Sequence, residues 1–326
     1  MNHERFTMAT EAALALNVAL VCEPALSQSY PTRPVRMIVP SAPGGPADIV
    51  GRAVGQGLSE VLGQQVVVDN RAGAGGSIGA ELVARGTPDG YTVMISHSGP
   101  LAIEPLLHAK PTYDPAKDFE PISLVAASPY LLLVNPSVPA KSVKDLIALA
   151  RSRPGKLNYA SGGPGTGIHM AAELFNVVAG TQITHVPYKG AGPGMTALIA
   201  GEVDMMFNGV SAALPQVKAG KVRALAVASA KRSALLPDLP AISESALNFD
   251  TSGWYGFVAP RGTPASITSK LHADVVKALG TPQMKERLSS LGIEPIGTTP
   301  AQFAAFLREE LAKWGKVIKA ARIKAE

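Results

Sequence analysis

Three stretches of the chain set glycine, proline and hydroxyl residues where an apolar run gives way to a helical pattern. "VPSAPGGPAD" (residues 39–48) follows "VRMIV", "YASGGPGTGIH" (159–169) opens a helical pattern near Thr166, and "VPYKGAGPGMTAL" (186–198) repeats the design. A fourth stretch, "ISHSGP" (95–100), ends an apolar run in His97 and Ser98. The first backbone N–H groups of a helix have no partner inside it and carry a partial positive charge, so strand ends that deliver such starts are sites for anions. Each glycine could equally serve only to permit a tight turn. Three loops of one kind point instead to a site that holds an anionic group mainly with backbone amides and hydroxyls.

Other chemistries are weaker. No G-x-x-x-x-G-K-[ST] occurs, and neither "GAGGSIG" nor "GGPGTGIH" has the G-x-G-x-x-G spacing of a dinucleotide fold, so no nucleotide cofactor is expected. "GGSIG" (75–79) does match G-x-S-x-G, which makes a serine esterase-like hydrolase using Ser77 the alternative function. That elbow needs a strand directly before the serine, whereas Ser77 follows the loop "NRAGAG". The six histidines form no H-x-x-x-H or H-E-x-x-H pair and Cys22 is the only cysteine, so neither a metal centre nor an internal disulfide is expected. His97 and His169 follow these polar turns, where each could touch a ligand or simply hydrogen-bond its own turn.

The loops need strands and helices to hold them. Apolar runs at "VRMIV", "QVVVDN", "YTVMIS", "PISLVAA", "YLLLVN", "KLNYAS", "THVPY", "VDMMFN", "VRALAVAS" and "GWYGFVAP" alternate with amphipathic patterns, which predicts α/β layers with largely parallel strands. Thr263-Pro264, Thr281-Pro282 and Thr299-Pro300 each read as a cap before a proline at the first helical position, and Ser142 with Asp145 reads as a capping box. Phe303, Phe306, Leu307, Leu311, Trp314, Val317 and Ile318 recur at helical spacing and predict a buried stripe on the last helix. "LVAASPYLLLVNP" sets two strands nearly end to end across Ser128-Pro129, and "TSGWYGFVAP" returns. A first lobe of residues 30–128 and 253–326, with a second lobe of 129–252 inserted in it, follows from that pair of runs.

A formal charge of +5 raises the question of nucleic acid, but the basic residues are scattered and lack interleaved aromatics. The densest group, Lys313, Lys316, Lys319, Arg322 and Lys324, falls on the last helical pattern and reads as a solvated face. Residues 1–29 have a polar start with Arg5, an apolar stretch around Ala12 to Cys22 interrupted by Glu11 and Asn17, and small residues before Tyr30, the pattern of an imperfect export signal. Val21 is bulky for a lipobox, so removal of Cys22 with the signal is expected rather than its lipidation.

From Tyr30 to Glu326 the chain resembles the substrate-binding proteins of tripartite tricarboxylate transporters, the Bug family. The matching segments include "YPTRPVRMIVPSAPGGPADIVGR", "LGQQVVVDNRAGAGGSIGAELVARGTPDGYT", "PGKLNYASGGPGTGIHMAAELF", "HVPYKGAGPGMTALIAGEVDMMF" and "GWYGFVAPRGTP", in family order. The resemblance implies a periplasmic, non-catalytic receptor of the type II periplasmic binding protein fold, with two α/β lobes, a ligand cleft between them, and C-terminal helices that return to the first lobe. It implies a small carboxylate as ligand, membrane subunits of a transporter or a sensor as partner, and a monomer in solution. The cleft residues so expected are Ser41, Ala42, Gly44, Gly45, Ala47, Asp48, His97, Ser98, Ser161, Gly163, Thr166, His169, Lys189, Gly190, Ala191, Gly192 and Asn208.

The chain departs from the family at three places. Ser41-Ala42 stand where an aromatic residue and a proline are usual, Pro46 stands for Ala or Ser and removes one N–H donor, and Asn208 stands where many members have Asp. A serine in place of a ring leaves space and adds a hydroxyl, which implies a ligand bulkier or more hydroxylated than a short dicarboxylate.

Overall fold

"VRMIV" forms β1 (Val35–Val39), buried at four of its five positions and paired in parallel with β2 (Val66–Asn70) on one side and β3 (Thr92–His97) on the other. The computed structural model describes residues 30–233, 236–321 and 323, so the expected export signal, with Cys22, lies outside the described residues. The described strands and helices all fall within Arg33–Glu326.

Proline at the first helical position and a left-handed Gly63 beyond the last turn bound α1 (Pro46–Leu62), the helix between β1 and β2. A 3₁₀ turn at Ala74–Gly76 leads into α2 (Ser77–Ala84), and a π turn at Gly99–Ile103 follows β3 and runs into α3 (Glu104–Leu107). The long β4 (Phe119–Val134) comes next. Then α4 (Val143–Ser152), capped by Ser142, leads to β5 (Asn158–Ser161), α5 (Gly167–Ala179) and β6 (Thr184–Pro187). They are followed by α6 (Ala191–Ala200), β7 (Met205–Gly209), α7 (Val210–Lys218) and β8 (Arg223–Val227). β9 (Ser252–Pro260), α8 (Ala265–Gly280), α9 (Pro282–Ser290), β10 (Glu294–Pro295) and α10 (Pro300–Ala321) complete the chain.

The strands run in the order β2-β1-β3-β9-β4-β7-β5-β6, with β8 and β10 also pairing β4. β9 is antiparallel to both β3 and β4, which makes the sheet mixed rather than largely parallel. "PISLVAA" and "YLLLVN", expected as two strands, are one. Phe119 to Pro129 pair β9, and Tyr130 to Val134 pair β7 and β8. Pro129 cannot donate to a ladder, and it stands where β4 changes partners, a position at which a strand tolerates proline.

Two apolar clusters flank that change of partner. One gathers Tyr130 to Phe249 around Phe175, Phe207 and Phe249. The other joins Ile38, Met94 and Leu124 to Trp254, Phe303, Leu307, Trp314 and Ile318, so the expected stripe on the last helix is core. Met170, on α5, is fully buried in this second cluster although its neighbours in sequence belong to the first. Of the C-terminal helices, α8 packs on α1 and β4, α9 on α1 and α8, and α10 on β4 and the π turn.

Candidate functional site

Helix starts converge on one cleft of about 560 Å³. Pro46 and Ala47 open α1, Gly75 and Gly76 lead into α2, Thr166 to Ile168 open α5, and Gly190 and Ala191 open α6; all line it, with Pro40, Ser41, Ala72, Gly73 and Gly162. No Asp, Glu, Lys or Arg is in that lining. Partial charges of one sign, from four helix starts, therefore act on the cleft without a formal cation. Thr166 fixes one of the starts: its hydroxyl donates to Gly163 O at 2.8 Å and accepts from the His169 N–H at 3.4 Å, the geometry of an N-cap.

The loops from the two ends of the sheet touch one another. A Cβ added at Gly190 would stand 2.6 Å from Ala42 Cβ, one at Gly192 would stand 2.7 Å from Pro43 O, and Gly75 meets Pro164 O as closely. The absence of side chains at these glycines is what lets the backbones meet over the cleft. The arrangement is closed.

Its floor comes from strands. His97 ends β3 opposite Tyr255 on β9, and Tyr130 lies on β4 where that strand changes partners. The Gly99 N–H donates to His97 Nδ1 at 3.1 Å, which puts the ring hydrogen on Nε2, and burial lowers the His97 pKa from 6.5 to about 4. At neutral pH His97 is an uncharged donor. Tyr130 and Tyr255 are 6% and 3% exposed. Burial raises the Tyr130 phenol to about 12 against a small opposing effect of the Ser98 hydroxyl beside it, and burial together with nearby Tyr130 raises Tyr255 further. Both are neutral, and both were invisible to sequence reasoning because apolar strand runs do not reveal which ring faces a cleft. Tyr130 opens "YLLLVN" and Tyr255 lies within "GWYGFVAP", and those placements are the only signal.

Of the residues singled out in the sequence, Ser41, Ala47, His97, Thr166, Gly190 and Ala191 are brought together in the cleft. The others are not in its lining. Ala42 and Gly45 pack on Gly190 and on Ala191 with Gly192, while Gly44 and Gly192 border an outer groove. Asp48 accepts from the Gly44 N–H at 2.9 Å and pairs with Arg52 at 3.0 Å, so its carboxylate holds the loop in shape. Ser98 is buried against Gly167. Ser161 accepts from the Gly163 N–H at 3.0 Å and lies 2.6 Å from His185 Nε2, behind the loop. His169 accepts from the Gly165 N–H and stacks on His185, 4.3 Å between centroids; burial first, and nearby His185 second, lower its pKa to about 3. Asn208 is fully buried and accepts from the Gly209 N–H at 2.9 Å. Gly163 and Lys189 line an adjoining pocket that shares Gly73, Gly75 and Gly162 with the cleft.

Ser77 begins α2 after the 3₁₀ turn and not after a strand, and among the described residues no histidine hydrogen-bonds it, so the nucleophile elbow is not formed. No group of three or more potential ligands for a metal ion occurs among the described residues.

The family model described as "Tripartite tricarboxylate transporter family receptor" matches residues 50–323. Among solved structures, R. palustris Rpa4515 with adipate is 40% identical at a TM-score of 0.88, covering 91% of this chain and all of the other. The periplasmic binding protein BugD is 35% identical at 0.88 with 91% and 100% covered, and MatC from Rhodopseudomonas palustris with bound malate is 35% identical at 0.85 with 89% and 100% covered. These neighbours are binding proteins, and the hydrolase alternative at Ser77 falls with them. With its two-lobed α/β fold of the periplasmic binding proteins, the chain belongs to the tripartite tricarboxylate transporter receptor family, whose members are solute-binding receptors and not enzymes.

Proposed function

We propose that this receptor captures a small carboxylate in the cleft, holding it mainly by backbone amides at helix starts and by hydroxyls, and delivers it to the membrane subunits of a tripartite transporter or reports it to a sensor. The observation that carries the reading is the convergence of four helix starts on a lining without charged side chains. Such a site favours an anion, yet lobe opening releases it without breaking a buried ion pair, as delivery requires. The adipate and malate held by two of the solved relatives are small carboxylates, which agrees with this choice.

The lobes are residues 30–128 with 253–326, and 129–252. The change of partners along β4 and the two separate apolar clusters support that division. The protein acts as a monomer in the periplasm, reached through the export signal of residues 1–29. Titration calorimetry and thermal shift with a panel of small carboxylates test the function. Saturable binding of at least one is expected, and none on correctly folded protein would contradict it.

A further inference from the structure

Resting on the carboxylate reading above, we propose that Tyr130 and Tyr255 are specificity-determining residues, and that the group they read is an uncharged oxygen of the ligand, a hydroxyl or carbonyl apart from its anchoring carboxylate. The two side chains occupy the strands that run between the halves of the sheet, β4 and β9, and both line the cleft. Each is more than nine-tenths buried. Among the described residues no protein group hydrogen-bonds the Tyr255 hydroxyl, which lies near Tyr130, and the Tyr130 hydroxyl has the Ser98 hydroxyl beside it, itself buried without a well-aligned partner. A hydroxyl without a protein acceptor is left to water or to a ligand, and both side chains line the ligand's space.

The two hydroxyls are placed against different loops. Tyr130 and Ser98 meet Gly167 at the start of α5, and Tyr255 reaches Gly209 just before α7. A phenol both donates and accepts, so a neighbouring pair can give a hydrogen bond to a ligand oxygen and take one from a ligand hydroxyl. A second carboxylate in the same place would be stripped of water with no cation in the lining to offset it. The chemistry of the pair thus matches a neutral oxygen, with the helix starts left to the single anion.

Calorimetry on the mature protein with matched ligands tests this: hexanoate, 6-hydroxyhexanoate and adipate; butanoate, 4-hydroxybutanoate and succinate; benzoate, 4-hydroxybenzoate and terephthalate. In at least one set the hydroxylated member is expected to bind about tenfold or more tighter than both its parent and the dicarboxylate, a discrimination typical of a buried polar site. In Tyr130→Phe and Tyr255→Phe the ratio of hydroxylated-ligand to parent affinity should shrink to about threefold or less. Melting curves check that the variants fold; if either does not, the wild-type ranking decides alone. Carboxylates that bind with no hydroxyl preference, or with the dicarboxylate favoured, would overturn the inference and leave the carboxylate function standing. A hydroxyl preference that survives both substitutions would remove the tyrosines from the role, and a protein that binds no carboxylate would bring down both readings.

Discussion

Gly190 lies with its α-carbon against Ala42, so close that a Cβ on Gly190 would stand 2.6 Å from the alanine's own Cβ. One residue precedes α6 and the other precedes α1, on opposite sides of the cleft. Gly190 also has φ +123°, a conformation that other residues rarely adopt. Gly190→Ala should therefore hold the loops apart and weaken ligand binding by about 1 to 3 kcal/mol, the usual cost of overpacking. Calorimetry checks it, and unchanged affinity would show that the cleft binds without this contact.

Ser41 is half-buried and lines the cleft, with its hydroxyl 3.4 Å from Ala42 O. Ser41→Phe should fill space that the ligand uses and weaken binding by about 1 to 3 kcal/mol. Folding should be nearly unaffected, because the ring would project into the cleft. A large fall in melting temperature with unchanged affinity would place Ser41 in the core instead.

Burial makes the protein sensitive to acid at two histidines. His97 and His169 have folded-state pKa values of about 4 and about 3, below the ordinary 6.5 of the unfolded chain. The unfolded state thus takes up protons first, so the stability these neutral rings contribute is complete above about pH 6.5 and is lost progressively as pH falls towards about 3 to 4. The melting temperature should drop on the order of 10 °C between pH 7 and pH 4. His169→Asn should flatten that slope, since an amide oxygen can still accept from the Gly165 N–H without titrating. A melting temperature independent of pH over that interval would contradict the account.

Met170 packs in the second apolar cluster although its neighbours on α5 belong to the first, so a closing movement of the cleft is expected to bury it. It projects from α5 into the cluster that holds Leu101, Ile103, Trp254 and Phe303. Solution scattering should give a smaller radius of gyration with ligand than without it. In Met170→Ala, which loses the apolar contact that accompanies closure, affinity should fall while the ligand-free protein melts nearly as before. Equal radii with and without ligand, in protein shown to be free of ligand at the start, would remove closure from the mechanism.

Most strands were legible because their apolar runs end in glycine, proline or polar turns, as at Val35–Val39 and Ser252–Pro260. The break expected at Ser128-Pro129 is absent, because the ladder changes partner there and leaves no N–H to be missed. Thr263 was expected to cap α8, yet Pro264 takes that position and the Thr263 hydroxyl donates to Pro260 O at 2.7 Å, closing the end of β9. Thr281 does cap its helix, accepting from the Met284 N–H at 3.3 Å. Local sequence named the hydroxyl at both sites, but not which backbone group would be in reach.

The cleft loops were legible for a similar reason, since glycine and proline mark where strands hand over to helices. Which polar side chain faces the ligand was not. Asp48, Ser161, His169 and Asn208 bond amides of their own loops, whereas Tyr130 and Tyr255 line the cleft. A polar residue beside a tight turn has backbone N–H groups within reach, and satisfying them is as favourable as meeting a ligand.

The most direct test is a crystal structure of the protein with a carboxylate that calorimetry has shown to bind. The account predicts the carboxylate in the cleft between Ser41, Thr166, Gly190 and Ala191, its oxygens accepting from backbone amides at the starts of the surrounding helices and no Lys or Arg side chain within hydrogen-bond distance. A carboxylate paired directly with a lysine or arginine, or bound outside this cleft, would contradict it.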